Sequence, residues 1–571
     1  MTETLPGAVE ARGRAGASVG PPHHASLLHP DAIFTGARLC QDTVLAIGAD
    51  GRVQALLTPA DAAHSGVDIE RLPGQVLMPG LCDAHSHAFQ RAIRGRVQHR
   101  IAGGAGATAD SFWSWRAAMY RAANGLDPDG VEAIRALAFL ELLRAGVTAV
   151  GEFHYLHHQA DGVPYADPDE LAERVLRAAH RVGLRIALLR VCYGAAGFDA
   201  KGAPLPLHAD QRRFASRGPE DALAAIARLR ARHRGDDGVR FGLAPHSVRA
   251  VPQAWLRALA TFDGVIHAHV AEQPAEVAAC LAALGRSPLQ VFADAGLVDE
   301  RFAAVHLTHP SPGDKALLQA ASAGVVVCPS TELDLGDGLL PLELRDGVRL
   351  AVGSDSYAAV EPLAEARSVE LHGRAQSGRR LLLGAQQVAD GSAIGLNEAT
   401  AILTIASGNG HRLLGMPGGS LEPGAPADAC AVDLNRPEAE GVPPLVALSH
   451  VARPEWVRSV WVGGVRRLRD RRHFLEEEIA MSARITMNRL WNVGVALLLG
   501  LSLTAGGCDD DATVGPAKFD AEEVGTHGGD AGLGGETRGG GGPDSTAEAG
   551  TICQTASQCP APSDPCRAPA C

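Results

Sequence analysis

Short apolar runs, often rich in β-branched residues, alternate with segments of helical periodicity between residues 75 and 356. Such runs are typical of parallel strands that are buried on both faces. The segment at residues 129–146, DGVEAIRALAFLELLRAG, has the apolar spacing of a helix that packs on a sheet. The runs are QVLMPGLCDAHSH, GVTAVGEFHYLHH, LRIALLRVCY, VRFGLAPHS, GVIHAHVAE, FAAVHLTH, GVVVCPST and VRLAVGSDS. Eight successive strand–helix units predict an α/β fold, the (β/α)8 or TIM barrel.

Short strand-like segments with turn residues flank the barrel on both sides. AIFTGARLC and TVLAIGADGRVQAL precede it, and PADACAVDLN and VRSVWVGGVRRLRD follow it. We therefore expect residues 31–74 and 411–475 to form one small β domain. Residues 75–410 are expected to form the barrel, and residues 1–30 to be disordered.

The sequence changes character at Met481. A basic start leads into an apolar run at residues 493–503, and small residues then precede Cys508. This layout resembles a bacterial lipoprotein signal, although the run is shorter than the about 20 residues of a membrane span. A Gly-rich acidic stretch and four further cysteines follow. Residues 481–571 therefore have two interpretations: a second reading frame, beginning at Met481 or Met487 and joined to the first, or an apolar helix with a disordered tail.

Composition narrows the classes of partner. Hydrophobic residues make up 46% of the chain, which is ample for a core, and the net charge of −13 offers nucleic acid no broad attraction. Six of the 11 cysteines lie in the enzyme-like part without paired spacing, at Cys40, Cys82, Cys192, Cys280, Cys328 and Cys430. This usage is typical of a reduced cytoplasmic protein. We expect a cytoplasmic enzyme whose barrel has neither a nucleic-acid nor a membrane partner.

Histidines and a carboxylate stand where the predicted strands end. Residues i and i+2 of a strand share a face, so His85 and His87 can bind one metal ion. His269 ends the fifth run, and Asp355 ends the eighth. Three imidazoles, one carboxylate and a water suit Zn²⁺, and the same ligands accept Fe²⁺. A lone His-x-His is more often structural, so the prediction depends on all four residues meeting at one end of the barrel.

The same strand ends offer acid–base groups. Glu272 follows His269 by three residues and can move a proton from water to a leaving nitrogen, although a helix-cap role is the alternative. His306 ends the sixth run and is predicted to stabilise charge, with His309 as its rival. His267 shares a face with His269 and is a candidate second metal ligand. No lysine follows the fourth run to bridge two metals, so one metal is predicted.

These motifs together resemble the amidohydrolase superfamily, in its one-metal deaminase branch. The strings HSHAFQRA, SFWSWRAAMY, GEFHYLHH, LAPHSVRAV, HVAEQPAEV, HLTH and STELDLGDG narrow the resemblance to formimidoylglutamate deiminases, from Asp31 to Asp470. The resemblance implies zinc-dependent hydrolysis of N-formimino-L-glutamate to N-formyl-L-glutamate and ammonia, in histidine degradation. It also makes a homodimer the expected assembly.

Roles for individual residues follow from this resemblance. The implied metal ligands are His85, His87, His269 and Asp355. The implied catalytic residues are Glu272, His306 and Asp355. The substrate is a dicarboxylate, which arginines can bind through paired hydrogen bonds. The predicted substrate-binding residues are Gln90, Arg116, Tyr155, His246 and Arg249. The plain alternatives are a solvated Arg116 and a Tyr155 that only packs.

The sequence departs from the family pattern at two places, which together involve three residues. Tyr357 follows Ser-Asp-Ser where the family usually has histidine, and Leu333 and Asp334 replace Ala-Asn. An extra carboxylate at Asp334 would disfavour a dianionic substrate.

Two other functions are open. A deaminase of the same branch could act on a guanine-like or triazine ring, but its pocket would need aromatic and amide groups rather than two arginines. An inactive barrel used for binding or assembly would typically have lost ligands, and every predicted ligand is present.

Overall fold

The computed structural model describes residues 24–98, 112–345, 347–383 and 394–502. The strands are β1 (His24–Phe34), β2 (Leu39–Gln41), β3 (Val44–Gly48), β4 (Val53–Leu57), β5 (Ile69–Pro79), β6 (Leu81–Ser86), β7 (Val147–His154), β8 (Arg185–Cys192), β9 (Val239–Pro245), β10 (Ile266–Val270), β11 (Phe302–His306), β12 (Gly324–Val327), β13 (Arg349–Val352), β14 (Ala429–Asp433), β15 (Val457–Val462) and β16 (Val465–Leu468). The helices are α1 (Pro59–Ala63), α2 (Phe112–Gly125), α3 (Pro128–Arg144), α4 (Glu170–Val182), α5 (Pro219–Arg232), α6 (Gln253–Leu259), α7 (Pro274–Leu284), α8 (Pro288–Asp294), α9 (Asp314–Ala321), α10 (Pro329–Leu335), α11 (Pro362–Ser377), α12 (Ile394–Ala406), α13 (Gly408–Leu413), α14 (Pro444–Val446) and α15 (Glu476–Ser502).

Strands β6 to β13 form one parallel sheet in which neighbours in sequence are neighbours in space. Its first and last strands meet at their carboxyl ends, where the Asp355 N–H donates to the His85 carbonyl at 3.0 Å. The His87 N–H donates in turn to the Asp355 carbonyl at 3.0 Å. The predicted TIM barrel is confirmed, and this seam brings two of the predicted metal-binding segments together.

Helix α4 illustrates why the barrel helices form where they do. Its apolar residues recur at helical spacing and face the sheet, and it ends at Gly183, whose φ of 83° suits a residue without a side chain. The buried residues of its inner face are Leu171, Ala172, Val175, Leu176, Ala178, Ala179 and Val182. The charged positions between them face outward.

A second sheet confirms the small β domain. Its strand order is β16-β15-β14-β5-β1-β3-β4, so segments from both sides of the barrel pair in one sheet. The prediction that residues 1–30 are disordered was wrong for residues 24–30, which belong to β1. Pro30 interrupts the strand pattern, but it lies at a register shift, where a missing N–H is tolerated. Residues 1–23 lie outside the described part of the chain.

Helix α15 contains the start of the segment whose character changes at Met481. It packs on α3, and the side chains of Ile479 and Ala483 are fully buried. The Arg96 guanidinium lies 4.5 Å from the centre of the Trp491 ring. Within the described residues, no helix is both long and apolar enough to cross a membrane. Cys508 lies outside these residues, and a joined second reading frame stays a prediction that the mass of the native protein would test.

We expect Ile479→Ala to lower the free energy of unfolding by about 2–5 kcal/mol, because it removes buried methyl groups from the contact between α15 and the barrel. Ile485 on the same helix is 46% exposed, so Ile485→Ala is the matched control and should cost less than about 1 kcal/mol. Chemical denaturation measures both variants. Equally small decreases in the free energy of unfolding for both variants would show that α15 does not pack on α3 in solution.

Candidate functional site

Four donor side chains converge at the carboxyl end of the barrel. His85 and His87 come from the end of β6, His269 from β10 and Asp355 from the turn after β13. Their ligand atoms all lie within 4.8 Å of one another. Asp355 Oδ1 is 3.2 Å from His85 Nε2 and 3.3 Å from His87 Nε2. The structure thus brings together all four residues that the sequence predicts as metal ligands.

The surroundings of the three imidazoles favour metal binding. His87 Nδ1 lies 3.2 Å from the Phe153 carbonyl oxygen, and His269 Nδ1 lies 3.0 Å from that of His246. Since a carbonyl only accepts, each Nδ1 carries the hydrogen and each Nε2 keeps its lone pair for a metal ion. Neither ring nitrogen of His85 has a hydrogen-bond partner among the described residues. These buried donors fit a metal ion.

Burial keeps these rings neutral. It lowers the pKa of His85 and His87 well below the ordinary value, and it lowers the pKa of His269 to about 4. Neutral imidazole is the form that binds metal ions, so the cluster needs no proton release from these rings near pH 7.

Glu272 and His306 lie beside the cluster. Glu272 Oε1 is 3.8 Å from His306 Nε2, and His306 Nδ1 is 3.3 Å from Glu332 Oε1. Burial alone would lower the pKa of His306, but its hydrogen bond to Glu332 and the nearby carboxylates raise it to about 10. Both predicted acid–base residues therefore face the same small volume as Asp355.

The backbone is strained where these side chains are presented. Ala271, His306, Leu307 and Asp355 have φ values of 50°, 69°, 50° and 43°. Non-glycine residues rarely adopt this left-handed region, and such strain clusters at functional sites. The barrel therefore holds the site in a costly conformation that its packing enforces.

A pocket opens over the cluster. Its lining residues are His87, Gln90, Trp115, Arg116, Met119, Tyr120, Tyr155, Tyr193, Phe214, His246, Arg249, His269, Glu272 and Asp355. All five residues predicted to bind substrate are among them. Cations, aromatic rings and the candidate metal ligands therefore share one cavity.

Arg249 and Gln90 have defined polar neighbours in this pocket. The Arg249 guanidinium lies 3.4 Å from both Glu272 and Glu276. Burial lowers the pKa of Arg249, but these carboxylates raise it above the ordinary value. Gln90 Nε2 donates to the Tyr155 hydroxyl at 3.0 Å, and Gln90 Oε1 has no partner within the described residues. An acceptor is thus left for a ligand N–H.

Several residues of the site were not predicted from the sequence. Tyr120 and Glu332 stand inside the quoted strings SFWSWRAAMY and STELDLGDG, without an assigned role. Glu276 stands inside the quoted string HVAEQPAEV and Tyr193 ends the quoted run LRIALLRVCY, also without an assigned role. Gln211 lies in none of the quoted segments, and only its position in the folded chain identifies it.

His267, the candidate second metal ligand, and His309, the alternative to His306, both lie outside the four-residue cluster. His267 Nε2 lies 3.0 Å from the Leu413 carbonyl, and His309 Nε2 lies 2.6 Å from that of Asp337.

The two departures from the family pattern do not line the pocket. Tyr357 is fully buried, with its hydroxyl 3.0 Å from Ser86 Oγ. Asp334 accepts from Gln98 at 3.2 Å, and Leu333 is 58% exposed. The expected effect of Asp334 on a dianionic substrate therefore has no direct contact to support it.

The sequence of this chain is similar to those of known amidohydrolases. The model of the amidohydrolase family matches residues 76–467. A formimidoylglutamate deiminase of Pseudomonas aeruginosa is 41% identical over 442 residues, covering 76% of this chain and 92% of that protein. A 5-methylthioadenosine/S-adenosylhomocysteine deaminase of Teredinibacter turnerae is 28% identical, covering 78% and 92%.

Solved structures agree with this placement. A Brucella melitensis amidohydrolase has a TM-score of 0.71 at 32% identity, covering 81% of this chain and 99% of that one. A zinc-bound adenosine deaminase of Xanthomonas campestris, at 24% identity, has a TM-score of 0.67, covers 82% of this chain and 99% of that one, and shares the fold. The family match spans the barrel and the cluster together, so this chain belongs to the amidohydrolase family.

Proposed function

We propose that this chain hydrolyses the formimino group of N-formimino-L-glutamate, releasing N-formyl-L-glutamate and ammonia in histidine degradation. One observation carries the proposal: Arg116 and Arg249 line the same pocket as the metal-binding cluster. Two cations suit the two carboxylates of this substrate, and the cluster suits hydrolysis of its amidine carbon. The 41% identity to the Pseudomonas aeruginosa deiminase supports the same reaction.

One zinc ion is the proposed cofactor, held by His85, His87, His269 and Asp355. Zinc is favoured because three neutral imidazoles and a carboxylate are its preferred donors, and Fe²⁺ accepts the same set. When bound, the ion supplies a Lewis acid that acidifies a water molecule and polarises the substrate.

Glu272 moves the proton in the proposed mechanism. Its carboxylate accepts a proton from the attacking water and delivers it to the nitrogen that leaves as ammonia. A C–O bond forms at the amidine carbon while its C=N bond becomes single. The second proton of water then passes through Glu272 to the same nitrogen, and the C–N bond breaks as the carbonyl forms and ammonia leaves. Burial at 7% exposure keeps bulk water from competing for this proton.

His306 and Asp355 assist at the same carbon. The hydrogen bond between His306 Nδ1 and Glu332 orients the ring so that Nε2 faces Glu272. We propose that Nε2–H and the Asp355 carboxylate orient the attacking water. Gln90 Oε1, which is unpaired within the described residues, accepts an N–H of the substrate.

A second candidate, deamination of a purine, has one observation in its favour. The pocket also contains a cluster of aromatic rings, including Trp115, Tyr155 and Phe214, which could stack on a flat base. The Teredinibacter turnerae relative is a deaminase of adenosine derivatives. The two arginines favour the dicarboxylate, because a guanidinium group binds a carboxylate through charge-assisted paired hydrogen bonds that a neutral base cannot offer.

The assay is ammonia release from N-formimino-L-glutamate beside guanine and 5′-methylthioadenosine, at equal concentrations. We expect turnover of the first substrate and a kcat/KM at least about 1,000-fold lower for both purines, a difference of about 4 kcal/mol, because a purine cannot form the charge-assisted hydrogen bonds that two carboxylates form with the arginines. Turnover of either purine alone would contradict the proposal.

A homodimer and a cytoplasmic location complete the proposal. They rest on the family resemblance and on the unpaired state of all six cysteines in the described residues, which suits a reducing compartment.

A further inference from the structure

Three polar side chains from three separate segments meet at the end of the pocket away from the cluster. Tyr120 lies on α2, Tyr193 directly follows β8, and Gln211 lies on a 3-10 turn at residues 209–214. Tyr120 and Tyr193, here called the phenol pair, line the pocket, and Gln211 is fully buried behind them.

The orientation of the Gln211 amide is fixed by its neighbours. The His208 N–H donates to Gln211 Oε1 at 2.9 Å, so the other end of the amide is Nε2. Nε2 donates to the Tyr120 hydroxyl at 3.1 Å and to the Tyr193 hydroxyl at 3.0 Å. Both phenol oxygens therefore act as acceptors toward Gln211, and both O–H hydrogens must point elsewhere.

At least one of these hydrogens is left for a ligand. Both hydroxyl oxygens accept from the same Gln211 Nε2, so they lie close enough for one phenol to donate to the other. Such a bond uses one O–H hydrogen, because each phenol has a single hydrogen to donate. The remaining O–H points away from Gln211, and because both phenols line the pocket it is available to a ligand there.

Packing makes this arrangement rigid. The Phe214 ring, from the same turn as Gln211, lies 5.6 Å from the Tyr120 ring and 5.9 Å from the Tyr193 ring, centre to centre. The Asn124 amide donates to the Asp210 carbonyl at 3.0 Å and ties α2 to the turn. A preorganised donor costs little entropy when a ligand binds.

The position of the phenol pair suits the end of the substrate that lies opposite the amidine group. His246 lies between the cluster and the phenol pair, 4.8 Å from the His269 ring and 4.9 Å from the Tyr193 ring. On the other side, the Arg116 guanidinium lies 5.7 Å from the Tyr120 ring centre. A ligand group bound at the phenol pair is therefore separated from the candidate metal ligand His269 by the His246 ring, and it lies beside the Arg116 guanidinium.

We propose that the phenol pair, oriented by Gln211, recognises the side-chain carboxylate of the substrate and thereby selects a dicarboxylate. The proposal rests on the proposed function. Arg249, which contacts Glu272, is left for the carboxylate nearer to the amidine. Gln211 is a positioning residue, since it acts through the two hydroxyls.

Two substrates separate recognition from general activity: N-formimino-L-glutamate, and N-formimino-L-norvaline, in which a methyl group replaces the side-chain carboxylate. We expect Tyr120→Phe with Tyr193→Phe to lower kcat/KM for the first by roughly 10- to 100-fold, mainly through KM, as for a lost hydrogen bond to a charge. For the norvaline substrate, the double variant should change kcat/KM by less than about twofold. Equal losses on both substrates, or no loss, would overturn the proposal.

Gln211→Glu tests the orientation of the phenols. The carboxylate keeps the shape of the amide but accepts where the amide donates, so it draws the O–H hydrogens away from the pocket. We expect the same selective loss as in the double phenylalanine variant, while kcat/KM for the norvaline substrate, which reports an intact fold, changes by less than about twofold. Tyr165, which is outside the pocket lining, provides the control Tyr165→Phe. A Gln211→Glu enzyme with the parent selectivity would refute the positioning role.

Binding of glutarate, with butyrate as the monocarboxylate control, separates this proposal from the proposed function. Calorimetry should show a preference for glutarate in the parent protein and a preference that is at least about tenfold weaker in the double phenylalanine variant, which keeps both arginines. A parent protein that is inert toward N-formimino-L-glutamate would contradict the proposed function. An undiminished glutarate preference in the variant would contradict the role of the phenol pair.

Discussion

Replacement of Glu272 by glutamine is expected to lower kcat by roughly 10²- to 10⁴-fold, the usual contribution of a positioned acid–base group. Glutamine fills the same space but cannot take a proton from water or return it to the leaving nitrogen. Glu272 is not one of the four clustered donors, so metal content should stay at the parent level. Steady-state kinetics and elemental analysis of the same preparation measure both quantities.

The choice of control matters for Glu272, because its carboxylate also contacts Arg249 at 3.4 Å and could act only by holding that side chain. A merely structural role would raise KM and leave kcat close to the parent value. Glu422→Gln is the control, because Glu422 pairs with Arg38 in the small β domain. A Glu272→Gln enzyme with kcat within about threefold of the parent would exclude the proton transfer.

The sequence predicted the fold and the convergence of the four candidate metal ligands because both depend on short-range patterns. Apolar runs of strand length mark the barrel, and parallel strands place all their carboxyl ends at one rim. His85, His87, His269 and Asp355 each follow an apolar run, so the topology alone brings them together. No detail of the loops was needed.

The phenol pair could not be predicted in this way. Tyr120, Tyr193 and Gln211 lie on three segments, and their meeting depends on how each loop crosses the rim of the barrel. The ion pairs of Arg249 with Glu272 and Glu276 have the same origin. Side-chain orientation at a loop contact leaves no periodic signal in a sequence.

Strand β1 shows a different limit. Its sequence HASLLHPDAIF contains Pro30, which argues against a regular strand, yet the chain accommodates it at a register shift against β5. Leu27 and Leu28 are buried within this strand. Local propensity was overridden here by the burial that pairing with β3 and β5 provides.

Removal of the metal ion is expected to abolish turnover, to below about 1% of the parent rate, because acidification of water depends on it. The loss should be reversed by Zn²⁺ or Fe²⁺ and not by Mg²⁺, since imidazole-rich sites disfavour Mg²⁺. The melting temperature should fall as well, because a tightly bound ion stabilises the folded state by about 4 kcal/mol at 1,000 times its Kd. Dialysis against a chelator, followed by calorimetry and activity assays, measures both effects.

His85→Asn should cause the same loss of bound metal and of turnover without a chelator. The His85 ring has no hydrogen-bond partner for either nitrogen within the described residues, so its placement beside Asp355 fits the proposed metal ion. We expect bound metal to fall below about one tenth of the parent content, since a structural ligand supplies much of the binding free energy. His64→Asn, at an exposed histidine of the small β domain, should keep full metal content. Full metal content in His85→Asn would place the metal ion on other ligands, and the mechanism drawn from this cluster would fail with it.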